Sequence, residues 1–190
     1  MTVGDVLKHV GVMIGRPDVV DFFCEKSNIG VDTYTDVEFL TKIISLVVSE
    51  LSSTYFPLVT KQEVTFVNGQ FSYAELEKRV VKVLGVYDCL GNNVEFKTGV
   101  EFIELEGEHS KSVTLTISYQ YMPQDYYIES EIDYAEKDIP ARVIAYGVAS
   151  EYCINQARFS EAVMHHNRYM LALQELKAPK NKKVKARSWQ

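Results

Sequence analysis

The spacing of apolar residues changes period twice along this chain: helical over the first 56 residues, strand-like from 59 to 122, and helical again from 141. The strand signal is sharpest near its end. There Val113, Leu115, Ile117, Tyr119 and Tyr121 fall on one face, and Thr114, Thr116, Ser118 and Gln120 on the other. A half-buried antiparallel strand requires this alternation, because successive side chains point to opposite faces. Helices on both sides of a strand-rich middle predict an α+β fold. In it a helical core, made of N-terminal helices plus a long C-terminal helical region, carries an inserted antiparallel β subdomain and an extended C-terminal tail. The expected boundaries are 1–58 for the N-terminal helices, 59–123 for the β subdomain, 124–178 for a loop and the long helical region, and 179–190 for the tail.

Local signals place the elements. Thr2 with Asp5 three residues on predicts a helix start, and Val3, Val6, Leu7, Val10 and Ile14 form its apolar stripe. Gly15 and Pro17 end that helix, and a short one carrying Val19, Val20, Phe22 and Phe23 follows before a loop at 27–30. Thr35 and Glu38 have capping-box spacing ahead of the stripe Val37, Leu40, Ile43, Ile44, Val47 and Leu51, so a third helix is expected to begin at Thr35. Five strands are expected at 63–67, 80–87, 94–97, 100–105 and 112–122, with turns at Asn68-Gly69, 90–93 and 106–108 and one helical turn at 71–76. Asp138 is the expected cap of the last helical region, with Pro140 in its first turn. Unbroken from 141 to 177 it would measure about 55 Å at about 1.5 Å per residue. It therefore either breaks at 155–158 or serves as a spine between subunits.

Charge is distributed unevenly. The net charge is -6, yet 177–190 hold six basic residues and no acid, which leaves 14 basic against 26 acidic residues, or -12, in the body. Such a body is poorly suited to gripping nucleic acid, whose phosphates need clustered Lys and Arg. No apolar run is long enough to span a bilayer and the opening residues carry no leader pattern, so no membrane association is expected.

Motifs that carry chemistry are missing: there is no glycine-rich phosphate loop, zinc-protease helix or nucleophile elbow. Cys24, Cys89 and Cys153 are far apart and odd in number, and are expected to be buried reduced thiols. His165 and His166 are adjacent, so on a helix their rings diverge by about 100°. Only Glu161 shares a face with His165, short of a zinc ligand set, and a solvated or interface role is expected for the pair. Acid pairs such as Glu104 with Glu106 and Glu129 with Glu131 suit a solvent-facing strand or an acidic loop. The chain is thus expected not to be an enzyme and to use no cofactor or metal.

Two groups of residues are candidates for protein contacts. Tyr119, Tyr121, Tyr126, Tyr127 and Tyr134 cluster around the end of the β unit, either as internal packing or as large, low-entropy contact surface. The tail carries Lys180, Lys182, Lys183, Lys185 and Arg187 ahead of Trp189, the only tryptophan in the chain. A basic run tipped by tryptophan suits a segment that anchors in a partner's pocket.

The stretch 138–152, DIPARVIAYGVASEY, resembles the Pro-initiated, Ala/Tyr/Gly-rich helix of head-to-tail connector (adaptor) proteins of tailed phages. The segments 159–162 and 167–173 resemble the next helix of that family, and Arg187-Ser188-Trp189 its basic ending. The resemblance implies a virion structural protein made in the host cytoplasm and placed in the neck. It would form a ring of copies, typically a dodecamer, beneath the portal protein, with DNA passing through the lumen without specific binding. It implies a tail (Lys180 to Trp189) docked on the portal, and a β unit with its tyrosines turned towards a downstream tail or neck protein. Two other readings stay open: another neck or tail-completion (terminator) protein, and a non-viral β-domain protein-binding module.

Overall fold

A computed structural model describes residues 1–24, 30–107 and 112–178. The expected loop at 27–29, the end of the turn at Glu108 and the tail 179–190 lie outside the described residues. The fold is α+β, with helices at both ends of the chain and two antiparallel sheets between them. The chain divides into two compact units, Met1–Leu40 with Tyr134–Gln190, and Thr41–Asp133.

In the first unit, α1 (Val3–Ile14) starts as its sequence dictates: Asp5 N–H donates to Thr2 Oγ1 at 3.2 Å, and Thr2 N–H donates to the Asp5 carboxylate at 2.9 Å. Its stripe Val3, Val6, Leu7, Val10 and Ile14 is buried, and Gly15, at φ 73°, ends it. Gly11 lets α2 (Pro17–Phe22) approach: a Cβ there would lie 2.8 Å from Val20 Cγ2 and 3.0 Å from the Arg16 carbonyl oxygen. Arg16 ties three helices together. It donates to Asp18 at 2.7 and 2.9 Å, to Asp36 at 2.6 Å and to the Tyr152 hydroxyl at 3.4 Å.

The third helix, α3 (Val31–Glu50), begins four residues before the expected cap. The Gly30 carbonyl accepts from the N–H groups of Thr33 and Tyr34, while Thr35, already inside the helix, turns its hydroxyl back to the Val31 carbonyl at 3.2 Å. A capping-box pattern thus sits within the helix, where a threonine hydroxyl bonds the preceding turn instead. One wide turn, Leu51–Tyr55, closes α3, with Phe56 N–H reaching the Leu51 carbonyl five residues back.

The last helical region breaks where expected. α4 (Ala141–Asn155) and α5 (Phe159–Lys177) flank Ala157, whose φ is 56°. The two pack as a hairpin, and the buried Ser150 hydroxyl donates to the Ala162 carbonyl at 3.1 Å. Asp138 does not cap α4. Glu136 does so from further back, its carboxylate accepting the Ala141 N–H at 3.1 and 3.2 Å.

The second unit holds β1 (Leu58–Phe66), β2 (Gln70–Ser72), β3 (Val80–Tyr87), β4 (Asn93–Val94), β5 (Phe96–Thr98), β6 (Phe102–Leu105) and β7 (Val113–Tyr121). The described residues hold seven strands against the expected five: 94–97 divides into β4 and β5, and Phe71 and Ser72, expected to open a helical turn, pair with β6, leaving that turn to Tyr73–Glu75. The sheets run β1-β7-β3-β4 and β2-β6-β5. Asn68 and Gly69, at φ 51° and 77°, make the tight turn from β1 to β2. β7 lies between β1 and β3, pairing Leu58 with Tyr121 on one side and Val80 with Tyr121 on the other.

The unit boundary falls inside α3, at 40/41, and after the acidic loop, at 133/134, instead of at 58/59 and 123/124. Hydrogen bonds explain the shift. Tyr126 N–H donates to the Ser45 hydroxyl at 2.9 Å, and the Ser52 hydroxyl reaches Met122 Sδ at 3.6 Å. The loop after β7 is thereby tied to the second half of α3.

Candidate functional site

The acidic, tyrosine-rich loop after β7 folds back over the start of β3 and builds a polar cluster around Asp133. Three donors converge on its carboxylate: Lys78 Nζ at 2.9 Å, the Tyr121 hydroxyl at 2.9 Å and the Tyr126 hydroxyl at 2.7 Å. The Lys78 ammonium also sits 3.9 Å from the centroid of the Tyr121 ring, where the ring's negative face attracts it. The Asp133 side chain is 19% exposed, so these bonds form in a partly desolvated setting.

Electrostatics locks the cluster in one protonation state. Burial pushes the Asp133 carboxyl up, but hydrogen bonds from Lys78, Tyr126 and Tyr121 outweigh it and hold the group below the usual carboxylate range. Burial, with the bond to Asp133, raises the Tyr126 phenol far above its ordinary value, and burial raises Tyr121 as well. Burial lowers Lys78, and the bonds and charge that Asp133 and Tyr121 bring together more than restore it. At neutral pH the aspartate and the lysine are charged and the phenols neutral. None of the four stands near neutrality, where proton transfer is most efficient.

Beside this cluster lies an open cleft of about 500 Å³, floored by Tyr121, Met122, Tyr126 and Asp133 and rimmed by Glu77, Asp125, Tyr127 and Glu131. Among the described residues the carboxylates of Glu77, Asp125 and Glu131 have no ion-pair partner. The arrangement can bind a cation or a cationic side chain: an aromatic floor beneath fixed negative charge.

Of the five tyrosines singled out in the sequence, only Tyr127 offers its ring to solvent, at 76% exposure. Tyr119, Tyr121, Tyr126 and Tyr134 are buried, which corrects their reading as an exposed contact surface. The reason is long-range: Tyr119 and Tyr121 stand on a strand paired on both sides, and Tyr119 donates to Gln62 Oε1 on β1 at 3.0 Å. Lys180, Lys182, Lys183, Lys185, Arg187 and Trp189 lie outside the described residues. Lys78 and Asp133 were missed by sequence reasoning, since no pattern links partners 55 residues apart.

His165 and His166 diverge as helix geometry requires, but His165 is not solvated. It is 2% exposed, and neither ring nitrogen has a hydrogen-bond partner among the described residues. Burial and, secondarily, Arg168 push its pKa below the ordinary value. Glu161 pairs with Arg158 at the start of α5. Among the thiols only Cys153 is buried. Cys24, in the turn after α2, and Cys89, in the turn after β3, are exposed and free. The described residues contain no group of three or more His, Cys, Asp or Glu arranged to hold a metal ion, and no helix long and apolar enough to cross a membrane.

The sequence matches no protein-family model and no curated protein. Function therefore has to be argued from the chain itself.

Proposed function

We propose that this chain is a virion structural protein, a head-to-tail connector that forms a ring beneath the portal and links it to the tail. The observation that carries the reading is the build of the first unit. Helices from the two ends of the chain form it, around an α4 that is buried along most of its length, and the β unit is inserted between them. The resemblance of 138–173 to connector helices falls on α4 and α5, and the break between them falls between its segments.

Two further features support a ring. Val163, Met164 and Leu171 are exposed on α5, on the side away from its buried residues Ala162, His165, Tyr169 and Leu173, and Phe159 is exposed at its start. A ring made through heterologous contacts needs such an apolar surface on each subunit for its neighbour. A body of -12 also suits a channel wall past which DNA moves without sticking. In this reading 177–190 anchor the subunit on the portal, and the β unit faces a downstream neck or tail protein.

Electron microscopy of portal rings mixed with the protein tests the reading. Added ring density on the portal's outer end is expected. Portals unchanged at saturating protein would refute it.

A further inference from the structure

We propose that the cleft of the β unit binds the basic segment 180–187 of a neighbouring copy of the same chain. The floor already holds one ammonium: Lys78 stacks on Tyr121 and is neutralised by Asp133. What remains at the rim is surplus negative charge. Four carboxylates (Glu77, Asp125, Glu131 and Asp133) face a single lysine among the lining residues. At about 500 Å³ the cleft falls within the range of pockets that enclose small ligands, about 300–1,000 Å³. Tyr127 stands exposed at its edge, a large flat surface for the aliphatic stem of a Lys or Arg.

The occupant is argued from the chain's own charge. The segment 180–187 carries Lys180, Lys182, Lys183, Lys185 and Arg187 with no acid, while the body is strongly acidic. In extended form Lys183, Lys185 and Arg187 share one face, as alternate residues of a strand do. The nine residues from 179 to 187 span at most about 30 Å when extended, at about 3.3–3.6 Å per residue. Choosing a neighbouring copy as the donor rests on the ring reading. Before a portal is engaged, each junction joins two different surfaces, tail on one subunit and cleft on the next, so contacts propagate from copy to copy. The connector reading assigns the same segment to the portal, so each tail makes one of these contacts at a time.

Two full-length variants test this without touching Lys78, Tyr121, Tyr126 or Asp133, which hold the fold. One neutralises the tail (Lys182→Gln, Lys183→Gln, Lys185→Gln) and the other the rim (Glu77→Gln, Asp125→Asn, Glu131→Gln), each checked for folding by circular dichroism. By sedimentation at low salt the natural chain should self-associate, and each variant alone should do so about tenfold more weakly. Mixed, the two variants should form dimers and nothing larger, because one intact tail then meets one intact cleft. Added salt should dissolve both assemblies. A natural chain that stays monomeric, an association untouched by either variant, or a mixture that does not dimerise overturns the proposal. Portal binding is measured separately, so loss of the cleft contact and loss of the connector reading give different results.

Discussion

The Tyr126 hydroxyl donates to the Asp133 carboxylate at 2.7 Å, and the Asp133 N–H donates back to the Tyr126 hydroxyl oxygen at 3.3 Å. This reciprocal pair closes the acidic loop on itself, while Lys78 and Tyr121 fasten it to the sheet. Tyr126→Phe removes both bonds, the stronger one to a charged acceptor, and should cost about 1.5–3 kcal/mol. Asp133→Ala leaves Lys78 and two phenols without their acceptor and should cost more than Tyr126→Phe. Urea denaturation followed by tyrosine fluorescence measures both. Equal midpoints for Tyr126→Phe and the natural chain would show that the pair does not hold the loop.

The Arg16 junction should govern part of the acid stability. The hydrogen bond from Arg16 outweighs burial and holds Asp18 down at about 2, against an ordinary 3.8. A carboxylate depressed in the fold contributes stability that is present above its unfolded pKa and lost as pH falls through the folded one. The loss should therefore run from about pH 4 to about pH 2. Because Arg16 and Asp18 are 30% and 40% exposed, solvent screening keeps the effect small. Asp18→Asn should flatten this part of the stability curve and leave stability at pH 7 only slightly lower.

His165 gives a pH dependence of the same sign, in a different range. Its folded pKa lies below its ordinary 6.5, so the fold favours the neutral ring. Stability is complete above about pH 6.5 and falls as pH drops below it, until the folded pKa is reached. Glu161, Arg158 and Arg168 are the charged groups that act on it. His165→Phe removes buried polar atoms that have no partner among the described residues. It should abolish the loss below pH 6.5 at little cost at pH 8. Thermal melts across this range provide the check.

Two backbone positions should respond in opposite directions. Gly11→Ala drives a methyl against Val20 and the Arg16 carbonyl and should destabilise by about 1–3 kcal/mol. Ala157→Gly relieves a left-handed residue at the α4–α5 break and should stabilise by about 1 kcal/mol. Denaturant midpoints report both signs.

What the sequence made legible follows the range of each interaction. The Thr2–Asp5 cap, the Asn68-Gly69 turn and the break after Asn155 are each decided within a few residues, and each could be read from the chain. The alternation ending in Tyr119 and Tyr121 identified a strand but not its place in the sheet. Their burial depends on β1 and β3, which come from elsewhere in the sequence. Thr35 was misleading for a related reason: a local pattern cannot show that the helix has already begun at Val31. The cleft was hidden because Ser45, Lys78, Tyr126 and Asp133 meet only after the loop folds back.

The central claim is that this chain assembles on a portal, and particle mass tests it most directly. The protein alone, the portal alone and the mixture would be weighed by light scattering, beside a version ending at Ala178. The account predicts a portal whose mass rises by a whole ring of subunits with the full chain, and by none with the shortened one. A full chain that leaves the portal's mass unchanged would contradict it.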